Sequence, residues 1–131
     1  MTVAHIKGAF IEEAGLFMPR HVGYVLMIDR QFVRDSQENW ERLIPLTPGN
    51  HEISAAYKSS IFSSRASLTL EARAGVTYAV KIVPGLEGAD ERRYCDFSIM
   101  DVATGLAVTP FKHTYVTGGP NQNRSNFRPI D

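Results

Sequence analysis

Residues 47–58, TPGNHEISAAYK, join a tight turn directly to a strand pattern. Pro48 suits the second position of a β-turn, and Gly49 suits the third, where a positive φ is needed. After the turn, Ile53, Ala55 and Tyr57 alternate with polar residues, which is typical of a strand that buries one face. This stretch therefore predicts a turn that leads into a half-buried β-strand.

The same combination of turn and strand recurs towards the C-terminus. Residues 74–80, AGVTYAV, place a turn before a strand, and residues 101–105, DVATG, form another turn. Between them, Cys95, Phe97 and Ile99 occupy alternate positions, so they fall on one face of a strand. Consecutive turn-separated strands indicate antiparallel hairpins. We therefore expect an all-β fold, an antiparallel β-sandwich of about seven or eight strands.

The first thirty residues have a less regular pattern. Residues 3–8 are a candidate first strand. Gly15 and Pro19 interrupt the following segment, so we expect a loop with at most a short helical turn at residues 11–18. Residues 23–29, GYVLMID, are apolar on both faces, which predicts a central strand covered on both sides.

The C-terminal third alternates between further strands and flexible segments. Glycine and charge content predict a flexible loop at residues 84–90. The turn at residues 101–105 is expected to lead into a strand at residues 106–108, and residues 111–116 are expected to add a last edge strand. The β-sandwich domain is predicted at residues 1–117. Residues 118–131 contain too few apolar groups to offset the entropy of ordering, so a disordered tail is expected. The alternative for this tail is a docking motif built on Phe127 and Ile130.

Composition limits the classes of partner. The chain has 131 residues, which suits one domain. Its 14 basic and 14 acidic residues cancel, and this balance argues against the broad basic surface that nucleic-acid binding requires. A net charge near zero does little to keep molecules apart, so we expect a protein partner or self-association, and no nucleic-acid partner. No apolar run approaches the ~18–20 residues of a membrane span.

The N-terminal residues leave the compartment open. Residues 1–8, MTVAHIKG, lack the basic segment, the long apolar segment and the cleavage site of a signal peptide. Two locations follow: the cytoplasm, or the periplasm or outer membrane if a signal peptide has been removed from this chain.

Residues that carry chemistry are sparse. Cys95 is the only cysteine, so an intramolecular disulfide is impossible, and we expect a small buried apolar residue. The four histidines, His5, His21, His51 and His113, lack the close spacing of a metal site such as H-E-x-x-H. We therefore predict separate histidines, no catalytic residue, no metal site and no cofactor, and we expect that the protein is not an enzyme.

The candidate binding surface contains Trp40, Phe62, Arg34 and Asn39. Trp40 follows a polar loop and precedes a strand; such a tryptophan either covers the end of a core or offers a stacking platform for a sugar or a peptide. The other three residues belong to the neighbouring loops at 34–39 and 59–64. We expect Trp40→Ala or Phe62→Ala to weaken partner binding while the fold survives.

Several segments, taken in order, resemble a loose group of small bacterial envelope proteins, often lipoproteins, with a PEGA-like or transthyretin-like β-sandwich. Their pattern is an opening strand with a glycine, then I-D-x-x-x-V, P-G-x-H-x-I, A-G-x-x-Y-x-V and I-x-D-x-x-T-G-x-x-V. The matching segments span most of residues 3–108, and they are 6–8 (IKG), 28–33 (IDRQFV), 48–53 (PGNHEI), 74–80 (AGVTYAV) and 99–108 (IMDVATGLAV). The resemblance implies an immunoglobulin- or transthyretin-like sandwich at the cell envelope, and it carries no catalytic motif.

The leading functional hypothesis is a non-enzymatic binding or structural module of a bacterial protein, associated with the envelope. It would act through loops at one end of the sandwich or through an open sheet edge. One alternative is a carbohydrate-binding module that uses Trp40 and tyrosines. A further alternative is a small metal-dependent hydrolase that uses convergent histidines with Asp29 or Asp101, although fold alone does not imply function.

Overall fold

The computed structural model describes residues 2–12 and 20–118, and this part of the chain contains β-strands and no helix. Buried positions alternate with exposed ones along residues 67–72, in agreement with the two-residue period of a strand. Residues 53–57 are instead all buried, so the strand predicted to bury one face is covered on both faces there, and Ser54 and Ala56 do not face solvent. The ten strands are β1 (Ala4–Lys7), β2 (Ala9–Glu12), β3 (Arg20–Ile28), β4 (Gln31–Phe32), β5 (Ile44–Leu46), β6 (Gly49–Ser59), β7 (Phe62–Ala72), β8 (Thr77–Glu87), β9 (Arg92–Asp101) and β10 (Lys112–Tyr115).

The strands form two packed sheets, which confirms the predicted all-β sandwich. Sheet A has the order β10-β9-β8-β1-β5, and sheet B has the order β2-β3-β6-β7, with β4 paired to β3. The strand count exceeds the expected seven or eight because β4 and β5 are very short. The pairing is also not wholly antiparallel. The N-terminal strand β1 lies between β8 and β5, and it runs parallel to β8.

The core lies between the sheets and contains Ile53, Phe97 and Ile99, which were predicted to face inward. Leu70 of sheet B and Val80 of sheet A lie with them, and all five side chains are almost fully buried. Cys95 lies in the same layer, as expected, and its burial raises the pKa of the thiol to about 12. Cys95 is therefore a packing residue rather than a nucleophile.

The chain passes from sheet A to sheet B at Gly8, between β1 and β2. A Cβ atom at this position would lie 2.1 Å from the carbonyl oxygen of Gly23, which belongs to β3. The Gly8 N–H donates a hydrogen bond to the Trp40 carbonyl at 2.6 Å. Three segments of main chain therefore meet at this corner, and only glycine leaves room for them.

Two predictions near the N-terminus differ from the structure. Residues 11 and 12 belong to β2 rather than to the start of a helical turn, because β2 pairs with β3. Residues 13–18 of that predicted turn lie outside the described residues. In β3, buried and half-buried residues alternate, so Tyr24 and Leu26 remain half-buried on the outer face. The expected coverage on both faces is incomplete.

The predicted loop at residues 84–90 is wrong over most of its length. β8 continues to Glu87, and β9 begins opposite it at Arg92, so the two strands extend as a hairpin arm. The ring of Tyr94 lies across the strand against Gly85, where an added Cβ would come within 2.5 Å of its Oη. An aromatic ring that covers a glycine in the facing strand compensates for the missing side chain, so the arm persists despite its glycine.

The C-terminal edge agrees with the sequence in part. β10 confirms the predicted strand at residues 111–116, whereas Ala107 makes only an isolated bridge to Met100 instead of a full strand. The predicted tail lies outside the described residues from position 119. Within the described part of the chain, no helix is long and apolar enough to cross a membrane.

Candidate functional site

Trp40 lies at the corner where the chain changes sheets. Its ring stacks on Phe10 of β2, with ring centroids 5.6 Å apart and planes inclined by 13°. Its carbonyl accepts the hydrogen bond from Gly8 described above. The side chain is half-buried, so one face of the indole covers the β2 edge of the sandwich.

Phe62 occupies the first position of β7. The predicted loop at residues 59–64 is therefore wrong except for the two-residue turn at Ser60 and Ile61, because the flanking residues pair as β6 and β7. The guanidinium of Arg93 lies 4.2 Å from the centroid of its ring, which is a favourable cation–π distance. The phenylalanine is also half-buried and packs against the core. Phe62 therefore closes one end of the sandwich together with Arg93.

The structure does not bring Trp40 and Phe62 onto one continuous surface. Trp40 contacts β2, which is one edge of sheet B, and Phe62 belongs to β7, which is the other edge. With β3 and β6 between them, the two edges are separated by three strand spacings, roughly 14 Å.

Arg34 and Asn39 belong to the loop that leads to Trp40. The side-chain amide of Asn39 donates to the carbonyl of Asp35 at 3.0 Å, and its main-chain N–H donates to the same carbonyl. The carbonyl of Arg34 accepts a hydrogen bond from the guanidinium of Arg42. Asn39 thus stabilises the loop itself, whereas the Arg34 side chain is exposed.

Among the described strands that lie at an edge of either sheet, β7 is the longest. It pairs with β6 over all eleven of its residues without a register shift. At its start, Ser63 exchanges two main-chain hydrogen bonds with Thr117, at 2.8 and 2.9 Å. Thr117 lies on the side opposite β6, so the N–H and C=O groups of Ser63 point away from the sheet.

Because hydrogen-bonding direction alternates along an antiparallel strand, the following odd-numbered residues also direct their main-chain groups outward. These residues are Arg65, Ser67, Thr69 and Glu71. Within residues 2–12 and 20–118, no main-chain hydrogen bond joins any of them to a segment beyond β6. Their side chains are exposed on the outer face of sheet B. The strand therefore offers an open hydrogen-bonding edge of four outward-facing residues.

A groove runs beside this edge. It lies between Ser67, Leu68 and Thr69 of β7 and the segment that precedes β10, which contributes Thr109, Pro110 and Lys112. The hydroxyl of Thr114 bonds to the hydroxyl of Ser64 at 3.1 Å, so β10 lies against the beginning of β7. Further along β7, the segment that precedes β10 forms the opposite wall of the groove on this flank of the sandwich.

His51 lies in a polar network at the β3–β4 turn. Its Nδ1 bonds to a carboxylate oxygen of Asp29 at 2.6 Å, and its Nε2 bonds to the Thr47 carbonyl at 2.7 Å. Burial alone would lower the pKa of His51, but these two bonds and the charge of Asp29 hold that pKa above its usual value. The Glu52 N–H and His51 hold the pKa of the Asp29 carboxyl below its usual value. Because both partners of the ring are acceptors, the charged imidazolium satisfies them best.

His113 lies in a second network, on the outer face of sheet A. Its hydrogen bond to Asp96 is the main cause of its raised pKa, and Glu87 adds to the effect at 3.0 Å. Tyr94 and Tyr115 flank the imidazole.

His21 lies elsewhere, hydrogen-bonded to the Tyr57 hydroxyl inside the sandwich. Among the described residues, no group of three or more His, Cys, Asp or Glu side chains is arranged to hold a metal ion.

Sequence reasoning missed the β7 edge as a site. The alternation of Leu68 and Leu70 with polar neighbours predicts a half-buried strand, but it does not show which strands lie beside it.

Comparison of the chain with protein-family models, with curated proteins and with solved structures gives no match.

Proposed function

We propose that this protein is a non-enzymatic binding module that holds an extended segment of a protein partner against the open edge of β7. Strand addition of this kind takes its affinity from main-chain hydrogen bonds and its specificity from side chains next to the edge. In line with the resemblance stated above, the proposal includes an immunoglobulin- or transthyretin-like sandwich that works at the bacterial envelope.

The observation that carries the proposal is the row of outward main-chain groups at residues 65–71. Edge strands that must stay alone are usually short, bulged, or interrupted by proline. β7 has eleven residues, keeps one register with β6 and contains no proline. Its open part therefore has the geometry that a partner strand needs.

The edge is favoured over the loop surface for a specific reason. Trp40 already stacks on Phe10, and Phe62 already contacts Arg93. Both rings make contacts that stabilise the fold, and the two lie on opposite edges of sheet B. The outward main-chain groups of β7 after Ser63, at residues 65–71, in contrast, make no main-chain bond to any described segment beyond β6.

The proposal can be tested by selecting binders from a displayed library of extended peptides and measuring their affinity for two variants. Thr69→Pro removes an N–H group that points away from β6, so the β6–β7 ladder keeps all its bonds. Thr69→Ala is the matched control, because it shortens the same side chain and retains the N–H group.

We expect peptides selected on the wild-type protein to bind Thr69→Ala with similar affinity and to lose binding to Thr69→Pro. In a two-dimensional NMR titration, the amide signals of Arg65, Ser67, Thr69 and Glu71 should shift most. Selected peptides that bind Thr69→Pro as tightly as the wild type would contradict strand addition at β7. Binding that depends on Trp40 or Phe62 instead would move the site to the loops.

A further inference from the structure

We infer that the segment bound at β7 is β7 of a second copy of this chain, an inference that rests on the proposed function. Two copies related by a two-fold axis would pair their β7 strands antiparallel and join the two B sheets into one continuous sheet. Three features of the described residues carry this inference: the main-chain pattern of the edge, its charge order, and the flank beside it.

The main-chain pattern limits the registers that are available. Outward N–H and C=O groups belong to odd-numbered residues, so an odd residue must face an odd residue of the second copy. Ser63 is already paired with Thr117, which ends the open edge on one side. A two-fold axis at Leu68 lets the four free residues face one another, and every outward group of Arg65, Ser67, Thr69 and Glu71 finds a partner.

The charge order selects the same register. With the axis at Leu68, Arg65 lies directly opposite Glu71 of the second copy, and Ser67 lies opposite Thr69. All four side chains are exposed on one face, so they would meet across the new ladder. Opposite charges and pairs of hydroxyl residues are favourable neighbours at directly opposed positions.

Other axis positions lose this complementarity. An axis at Ser67 places Glu71 opposite Ser63, whose main-chain groups are occupied by Thr117. An axis at Thr69 places Arg65 opposite Arg73, so two like charges face each other. The sequence order arginine, serine, threonine, glutamate along the open edge is thus self-complementary in one antiparallel register.

The flank beside the edge also suits a second copy. Thr109, Pro110 and Lys112 line the groove next to β7, and their apolar neighbours Val108 and Phe111 are 47% and 49% exposed. A two-fold axis through β7 brings this flank of sheet A towards the same flank of the second copy. Apolar surface exposed in the single chain would then lie at the interface. The formal net charge of zero adds no overall repulsion.

The inference can be tested by sedimentation velocity over a concentration series, using charge variants at the two ends of the edge. Arg65→Glu places glutamate opposite Glu71 in both symmetric contacts, and Glu71→Arg places arginine opposite Arg65. Each variant alone should raise the dimer dissociation constant roughly fivefold or more. Mixing the two variants restores opposite charges at both contacts, so a heterodimer with an affinity near that of the wild type is expected.

Thr69→Pro should be monomeric and Thr69→Ala should dimerise, which separates main-chain pairing from side-chain effects. If Thr69→Pro fails to fold, the charge variants, whose substitutions are exposed, still decide the matter. A wild-type protein that stays monomeric up to its solubility limit would overturn the inference, as would a dimer that is insensitive to both sets of variants. Peptides whose binding still requires the Thr69 N–H would then leave the proposed function standing.

Discussion

Replacing Gly8 with alanine should destabilise the protein more than alanine at a glycine in open space. The new Cβ would lie 2.1 Å from the carbonyl oxygen of Gly23 and 3.0 Å from the Cα of Tyr24. A normal carbon–oxygen contact is about 3.3 Å, so the β1–β2 corner must move by roughly 1 Å from β3. Both atoms belong to the main chain, so no side chain can rotate away.

The size of the effect follows from three contributions. Forcing an extra methyl group into a packed interior costs about 1–3 kcal/mol. Loss of the hydrogen bond from Gly8 to Trp40 costs about 1 kcal/mol more. The smaller entropy of the unfolded alanine chain offsets about 0.4–1 kcal/mol. We expect a net loss of about 2–3 kcal/mol, which lowers Tm by roughly 10 °C in a domain of this size.

Urea unfolding, followed by circular dichroism and by the fluorescence of Trp40, measures this loss. Trp40 is the only tryptophan, and its carbonyl is the partner of Gly8, so its native-state emission should also change. Gly105→Ala is the control, since its site has a φ of 74° but no atom within 4 Å of the new Cβ; we expect about 1 kcal/mol from strain alone. The reasoning would be refuted if Gly8→Ala were no less stable than Gly105→Ala and left the emission unchanged.

Three further outcomes can be measured on the same protein. Arg30 has a φ of 70° in the two-residue β3–β4 turn, so Arg30→Gly should stabilise the protein by about 0.5–1 kcal/mol in urea unfolding, and a less stable variant would contradict the turn geometry. Because the folded-state pKa of His51 is raised, its stabilising contribution is complete below about pH 6.5 and is lost as the pH rises through the folded value. The difference in unfolding free energy between wild type and His51→Gln should therefore shrink with rising pH. A difference that grows with pH would mean that folding lowers the pKa of His51 instead of raising it. Amide hydrogen exchange along residues 64–71 of a monomeric sample should alternate, with even positions protected and odd positions fast; uniform protection would mean that the edge is not open.

The sequence alone predicted the class of fold and the main composition of the core. Alternation of apolar and polar residues has a two-residue period in a strand, so Ile53, Leu70, Phe97 and Ile99 could be assigned inward positions without any knowledge of their neighbours. Cys95 could be placed in the core by the same argument. The positive φ of Gly49 was equally local, because glycine adopts such a φ without steric cost. The predicted β-turn is not formed, since the chain only bends at Pro48 and Gly49 is already the first residue of β6.

The errors in the sequence analysis lay where distant segments decide the local structure. Residues 84–87 contain proline and glycine, which favour a loop, but Tyr94 from the facing strand covers Gly85 and extends the hairpin. Residues 9–12 become a strand because β3 supplies the hydrogen-bonding partner. In both places a tertiary contact outweighs the local propensity of the segment.

The candidate site shows most clearly the difference between what a local sequence pattern encodes and what the order of the strands decides. The residue types of β7 can be read along the chain, but its position at an edge follows from the order of strands in sheet B. That order depends on contacts between segments far apart in sequence, which no local pattern encodes. Likewise, Trp40 and Phe62 are both aromatic residues near loops in the sequence, and the strand order alone separates them to opposite edges. The alternating sequence thus determines which face each strand buries, while only the tertiary structure decides which main-chain edge is left without a partner.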